Sequence, residues 1–288
     1  MYRVRYLQQM DTRLGRHVHH DPRSRAYPVR PRVSALASIR HVRHVPVFNQ
    51  GHIGSCTGHA AVGCMGTGLF YGSLENAWVP QFFPYSEAGA VACYSRATVL
   101  DSYAGDYPPD DTGSDGLSVA KALQEKGEIS GYEHAFGLDH GLLGLMERPA
   151  IVGVAWMNDM FDPDREGIVH PTGALAGGHE FVWDEYDAAR GLVGFTNSWG
   201  LSWGKAGRFF MPAEEFGALL AQDGDVTSFV PIDDPAPLPI PIPPLPGRDD
   251  PGDMLWKLTD AWSAGHHTGG NRHAAHAVRD WAKATGRL

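Results

Sequence analysis

Gln50-Gly51-His52-Ile53-Gly54-Ser55-Cys56 decides how this chain is read. Glycines at 51 and 54 make the segment a turn, and Cys56 stands where an apolar, helical-looking stretch begins. The positive end of a helix dipole favours a thiolate over a thiol at that position. A nucleophilic sulfur needs a base to hold its proton, a group to orient that base, and donors for a developing oxyanion. Gln50 carries an amide donor six residues upstream. The remaining roles must be filled from elsewhere in the chain.

Two downstream segments offer them. Gly177-Gly178-His179 presents an imidazole at the edge of an alternating run, and histidine exchanges protons near neutral pH through either ring nitrogen. Asn197-Ser198-Trp199-Gly200-Leu201-Ser202-Trp203-Gly204 presents an amide oxygen that can hold an imidazole in place, flanked by two tryptophans. Taken singly, each has a bland reading: a structural cysteine, a glutamine in a turn, a Gly/Trp-rich connection between strands. His179-Glu180 followed by Trp183 also superficially matches a zinc-protease helix, but the second histidine is missing and the segment alternates like a strand. No metal or other cofactor is expected.

The bulk properties are permissive. The 288 residues, 43% apolar, can build one sizeable domain with appendages. No apolar run approaches the roughly 18 residues of a membrane span, and the first residues lack a secretory apolar stretch. The expected location is therefore the cytoplasm, with release by another route left open. Three cysteines are too few for a disulfide framework. With Cys56 assigned as nucleophile, Cys64 and Cys93 read as buried free thiols.

Charge is unevenly distributed. The net charge of −9 divides into +8 over residues 1–45, with ten arginines and two aspartates, and −17 over the rest. No nucleic-acid-binding motif accompanies the basic segment, so it is expected to lie against its own acidic body rather than on nucleic acid. The His17-Val-His-His20-Asp21 cluster reads as part of this basic stretch rather than as a metal site.

The chain divides into a basic arm (1–45), a body (46–232), a Pro-rich linker (233–252) and a small helical module (253–288). The linker's alternating prolines favour extended polyproline II. The module is too small for an independent core, which makes docking, self-association or a protein partner its expected role. Within the body, helices are expected over 55–71, 86–103 and 115–126, with Gly127 as a stop. Strands are expected over 150–156, 180–186, 192–196 and 207–211.

In the order Gln50, Cys56, His179, Asn197, these segments together resemble the papain-like cysteine peptidases. Cys56 precedes His179 by 123 residues and Asn197 by 141, against roughly 130–150 in such enzymes. The resemblance spans about 46–231 and implies an α+β fold: a helical subdomain with Gln50 and Cys56, an antiparallel β subdomain with His179 and Asn197, and a cleft between them. It also implies that Trp199 shields the His179–Asn197 contact and that Trp203 lines the leaving-group side. Gly113 and Ser114 stand where the family pairs its backbone with substrate as an added strand. Four departures are visible. Ile53 replaces a disulfide cysteine, Thr57 an aromatic, Glu180 a small residue, and Ser114 the second glycine of the pair. Glu180 is expected to face away from His179 yet to raise its pKa. Asp106, Asp110, Asp111 and Asp115 make the loop before Gly116 acidic, with a preference for basic substrates as the sharper reading and a solvated loop as the plainer one.

The implied reaction is hydrolysis of peptide bonds through an acyl-enzyme, with peptides or proteins as substrates. Acyl transfer or isopeptide cleavage would use the same nucleophile. A binding scaffold is a poorer reading, because it has no need for all four residues.

Overall fold

The computed structural model describes residues 13–78 and 80–234, together with Asp11, the backbone of residues 3–5, and Pro239. The expected linker, apart from its first residues and Pro239, and the whole expected C-terminal module lie outside the described residues.

Helix α1 (Cys56–Met65) carries no hydrophobic stripe, because every one of its residues is buried. A helix enclosed on all sides needs no polar face. Its glycines set the spacing: a Cβ at Gly58 would lie 2.3 Å from the Ala90 carbonyl oxygen and 2.7 Å from Tyr94. That contact brings α1 against the helix containing Ala90 and Tyr94. A short helix α2 (Ser73–Asn76) precedes that one, α3 (Glu87–Leu100), and α4 (Gly116–Glu125) follows it. Ser86 caps α3 by accepting from Gly89 N–H, and Asp115 caps α4 by accepting from Ser118 N–H. Gly127, at φ +71°, ends α4 as expected. The expected helix over 55–71 stops at Met65, where the chain turns through Gly66 and a 3-10 turn at Gly68–Phe70. Ser55 precedes α1, but its hydroxyl bonds the His59 ring rather than capping the backbone.

The remaining elements form one antiparallel sheet flanked by two further helices. They are β4 (Gly131–Ala135), α5 (Leu138–Leu145), β5 (Ala150–Met157), β6 (Leu175–Asp187), β7 (Leu192–Thr196), β8 (Arg208–Pro212), α6 (Ala213–Ala221) and β9 (Asp225–Val230). Strand order is β4-β9-β5-β6-β7-β8. In the arm, β1 (Arg3–Arg5) pairs with β2 (Val18–His20), and β3 (Ile39–Arg40) joins the sheet beside β6. The body is thus not simply helical then stranded, since β4, α5, α6 and β9 went unforeseen. Each is short, and their burial comes from tertiary packing rather than from a sustained period.

Two apolar cores divide the molecule. One, around Val62, Met65, Phe70, Cys93 and Leu123, lies among α1, α3 and α4. The other, around Trp156, Phe181, Trp183, Phe195 and Phe209, lies within the sheet half. All three cysteines are free and buried. Among the described residues no helix is long and apolar enough to cross a membrane.

Candidate active site

Cys56 opens α1 and is fully buried. Backbone N–H groups of Glu180, Gly15 and Thr57 are directed at its sulfur and favour the thiolate. Burial and the Glu180 carboxylate act the other way and prevail, pushing the thiol up to about 12.

His179 lies inside β6, which begins at Leu175 rather than at the expected position 180. Asn197 directly follows β7, and the pairing of Val182 with Thr196 brings the two segments together. His179 Nε2 lies 2.7 Å from Asn197 Oδ1. An amide oxygen only accepts, so Nε2 carries the proton, and Nδ1 is left without a hydrogen-bond partner. Trp199 stacks on the imidazole, centroids 4.6 Å apart, and Trp156 meets it edge-on at 5.0 Å. This enclosure removes water from the ring and depresses its pKa to about 3; the Asn197 bond opposes that shift, while nearby Arg13 adds to it. Glu180 does not lift the His179 pKa as expected. It faces Arg16 and Asp225 instead.

Gln50 is tied across the junction. Its Oε1 accepts from Ser198 Oγ at 2.7 Å and its backbone N–H donates to the Ser198 carbonyl at 2.9 Å, so the glutamine turn and the Asn197 loop form one unit. Its Nε2 donates to the Ile53 carbonyl at 2.7 Å and to the Arg13 carbonyl at 3.0 Å. The second of these acceptors comes from the N-terminal arm.

Residues 15–17 of the arm lie between Ser114 and Gly178. Arg16 N–H donates to the Gly178 carbonyl at 3.0 Å, His17 N–H to the Ser114 carbonyl at 2.8 Å, and Ser114 N–H to the Gly15 carbonyl at 2.8 Å. Ser114 therefore pairs with a backbone segment of the same chain, in parallel register with Arg16, whereas Gly113 donates its N–H to the Tyr94 hydroxyl at 2.9 Å. The Ser114 hydroxyl turns to Asp101 at 2.7 Å. The Arg13 guanidinium lies over Trp199 and Phe161, at 4.7 and 5.1 Å from the ring centroids. Trp203 packs edge-on against Trp199 at 4.8 Å and donates its indole N–H to the Phe161 carbonyl at 2.8 Å.

Two aspartates of the acidic loop have structural partners. Asp111 accepts from Gly54 N–H and the Tyr94 hydroxyl; Asp115 caps α4 and meets the His19 ring at 3.0 Å. Arg13, Gly15, Arg16, Trp156, Phe161 and Asp225 were not singled out from sequence. The arginines look alike within a basic run, and Trp156 and Phe161 look like core. Gly15 carries no local signal of its packing.

No family model matches the sequence, and no sequence among curated proteins matches it. Solved structures do. Xylellain, a cysteine protease from Xylella fastidiosa, superposes with a TM-score of 0.62 at 19% identity over 77% of this chain and 97% of that one. Procathepsin B S9 from Trypanosoma congolense gives 0.55 at 10% identity, covering 76% and 86%. Digestive procathepsin L 3 from Tenebrio molitor gives 0.54 at 13%, covering 76% of each. The chain has the fold of the papain-like cysteine proteases.

Proposed function

We propose that this protein is a cysteine-type endopeptidase and that its arm occupies the cleft in a self-blocked form. The observation that carries the reading is the Arg13 carbonyl oxygen, held 3.0 Å from Gln50 Nε2. A peptide carbonyl already sits on the donor that an oxyanion would need, beside a cysteine at a helix start and a histidine oriented by an amide.

In the open cleft, the Cys56 thiolate attacks a substrate carbonyl. The developing oxyanion receives hydrogen bonds from Gln50 Nε2 and the Cys56 backbone N–H. His179, held through Nε2 by Asn197, uses Nδ1 to take the thiol proton and then to protonate the leaving amine. The same nitrogen next activates water to hydrolyse the acyl-enzyme. With the arm in place, burial holds Cys56 and His179 neutral, because neither charge is solvated. Displacing the arm readmits water and permits the thiolate–imidazolium pair.

Labelling with a thiol-directed epoxysuccinyl probe, located by mass spectrometry, tests this alongside digestion of a denatured protein substrate. Modification at Cys56 and loss of digestion in Cys56→Ala are expected. Digestion that survives Cys56→Ala would end the reading. An amine acceptor outcompeting water in the products would move it to acyl transfer.

A further inference from the structure

Arg16 is fully buried, although among the described residues four of the arm's other seven arginines are exposed and none is buried. A buried guanidinium requires charge and hydrogen-bond partners. Strand register supplies the charges: Gly153 of β5 pairs with Glu180 of β6 on one side and with Asp225 of β9 on the other. Glu180, Gly153 and Asp225 therefore form one row across three neighbouring strands, with both carboxylates on the same face.

The glycine in the middle keeps the floor open. A Cβ at Gly153 would lie 2.5 Å from Arg16 Nε, 2.6 Å from Glu180 Oε2 and 3.1 Å from Asp225 Oδ2. The facing wall is also bare: a Cβ at Gly116 would fall 2.6 Å from Glu180 Oε1 and 3.2 Å from Asp225 Oδ1. Two carboxylates thus share a pocket from which side chains are excluded on two sides, and Arg16 fills it.

Arg16 enters this pocket without satisfying it. Its Nη2 donates to the Asp225 carboxylate and, at 2.7 Å, to the Asp223 carbonyl. Arg16 Nε and both oxygens of the fully buried Glu180 remain without a hydrogen-bond partner. An ion pair serving only to anchor the arm would be expected to close these bonds. A planar fork with five donors, entering on a backbone path different from that of the arm, matches two carboxylates that share one pocket. The pocket opens beside Ser114 and Gly178, where the arm's backbone pairs and where a substrate would have to displace it.

We infer that the Glu180–Asp225 pocket is an arginine-recognition site, and that the enzyme cleaves peptides carrying an arginine side chain seated there. Arg16 is the arm's stand-in for that side chain. The inference rests on the peptidase reading for its substrate, but the pocket can be tested without catalysis.

The full-length Arg16→Ala chain empties the pocket. Millimolar ethylguanidinium is expected to raise its melting temperature, while ethylurea and ethylammonium raise it less and the wild-type chain does not respond. Should Arg16→Ala not fold, Arg16→Gln serves for the same measurement. A peptide library offered to the folded variant should be cut selectively at sequences containing arginine. Adding Asp225→Asn should lower that preference over leucine at least about tenfold, the loss of roughly one charged hydrogen bond. Equal response to all three solutes, or cleavage indifferent to arginine, overturns the inference. Ethylguanidinium rescue without any cleavage or Cys56 labelling would support the pocket and refute the peptidase reading. Labelling and cleavage without arginine preference would do the reverse.

Discussion

An alanine at position 15 should drive the arm out of the cleft. The added Cβ would stand 1.7 Å from the Gly54 carbonyl oxygen, with the Gly54 carbonyl carbon at 2.4 Å. Normal contact is roughly twice the first distance. Both neighbours are backbone, and Gly54 is held by its N–H to Asp111 at 2.8 Å, so no side chain can swing away to make room. A displacement of this size breaks the four bonds that tie residues 13–17 to Gln50, Ser114 and Gly178. At about 0.5–1.5 kcal/mol each, the arm loses about 2–6 kcal/mol of its hold. With a factor of ten per 1.4 kcal/mol, the open fraction rises about 30-fold to 10⁴-fold, up to full opening. The assay is the rate of epoxysuccinyl labelling at Cys56, read beside peptide turnover and a thermal melt. Faster labelling with an intact folding transition is the expected result. A Gly15→Ala chain that folds, yet labels and cleaves at the wild-type rate, would refute the reasoning.

Other consequences are equally specific. Gln50→Glu keeps the side chain's shape but replaces the donor by an acceptor, and should lower kcat about 10²–10³-fold, measured on a substrate that still binds. Asp184 is fully buried and accepts from both terminal nitrogens of Arg208 at 2.9 Å and from the Thr196 hydroxyl at 2.6 Å. Asp184→Ala leaves Arg208 without its principal partner and should cost about 3–5 kcal/mol in denaturant unfolding. Burial lowers the His179 pKa to about 3 and those of His59 and His134 to about 4. Their unfolded forms take up protons first, so the stability of these neutral rings is present above pH 6.5 and is lost as pH falls toward 4–3. His19 runs the other way: its hydrogen bond to Asp115 raises its pKa, and its contribution is lost as pH rises through that raised value. His17, His41 and His140 are depressed as well, while the raised carboxyls of Asp101, Glu128, Glu133 and Glu180 take up protons in the folded form and act the other way, so the test is made ring by ring. In the folded protein at about pH 5.5 the His59, His134 and His179 rings should remain neutral by NMR, and charged rings there would contradict the assignment.

Helix α4 was legible because Leu117, Ala120, Leu123 and Gly127 carry stripe and stop within eleven positions. Strands β5 and β7 were legible as apolar runs between turns. Helix α1 was anticipated at its start but not its end, because burial on every side erases the periodicity that would mark a boundary. Strand β6 was read five residues short, since Leu175–His179 contains two glycines that weaken any strand signal. The acidic loop shows a related limit. Asp111 and Asp115 look like surface charges in sequence, yet one is tied to Gly54 and Tyr94 and the other caps a helix.

Gln50, Cys56, His179 and Asn197 are proposed as a site on sequence by itself, because residue type, order and spacing are properties of the chain. The α+β division followed from the same segments. Tertiary structure decided which residues of the arm meet Gln50, Ser114 and Gly178. The row of Glu180, Gly153 and Asp225 exists only through the register of three strands, and its partner Arg16 arrives from more than a hundred residues upstream. One basic arm holds ten arginines with nothing local to tell them apart. Burial, and the requirement that a buried charge be paired, singles out Arg16, and burial arises only when distant segments pack together.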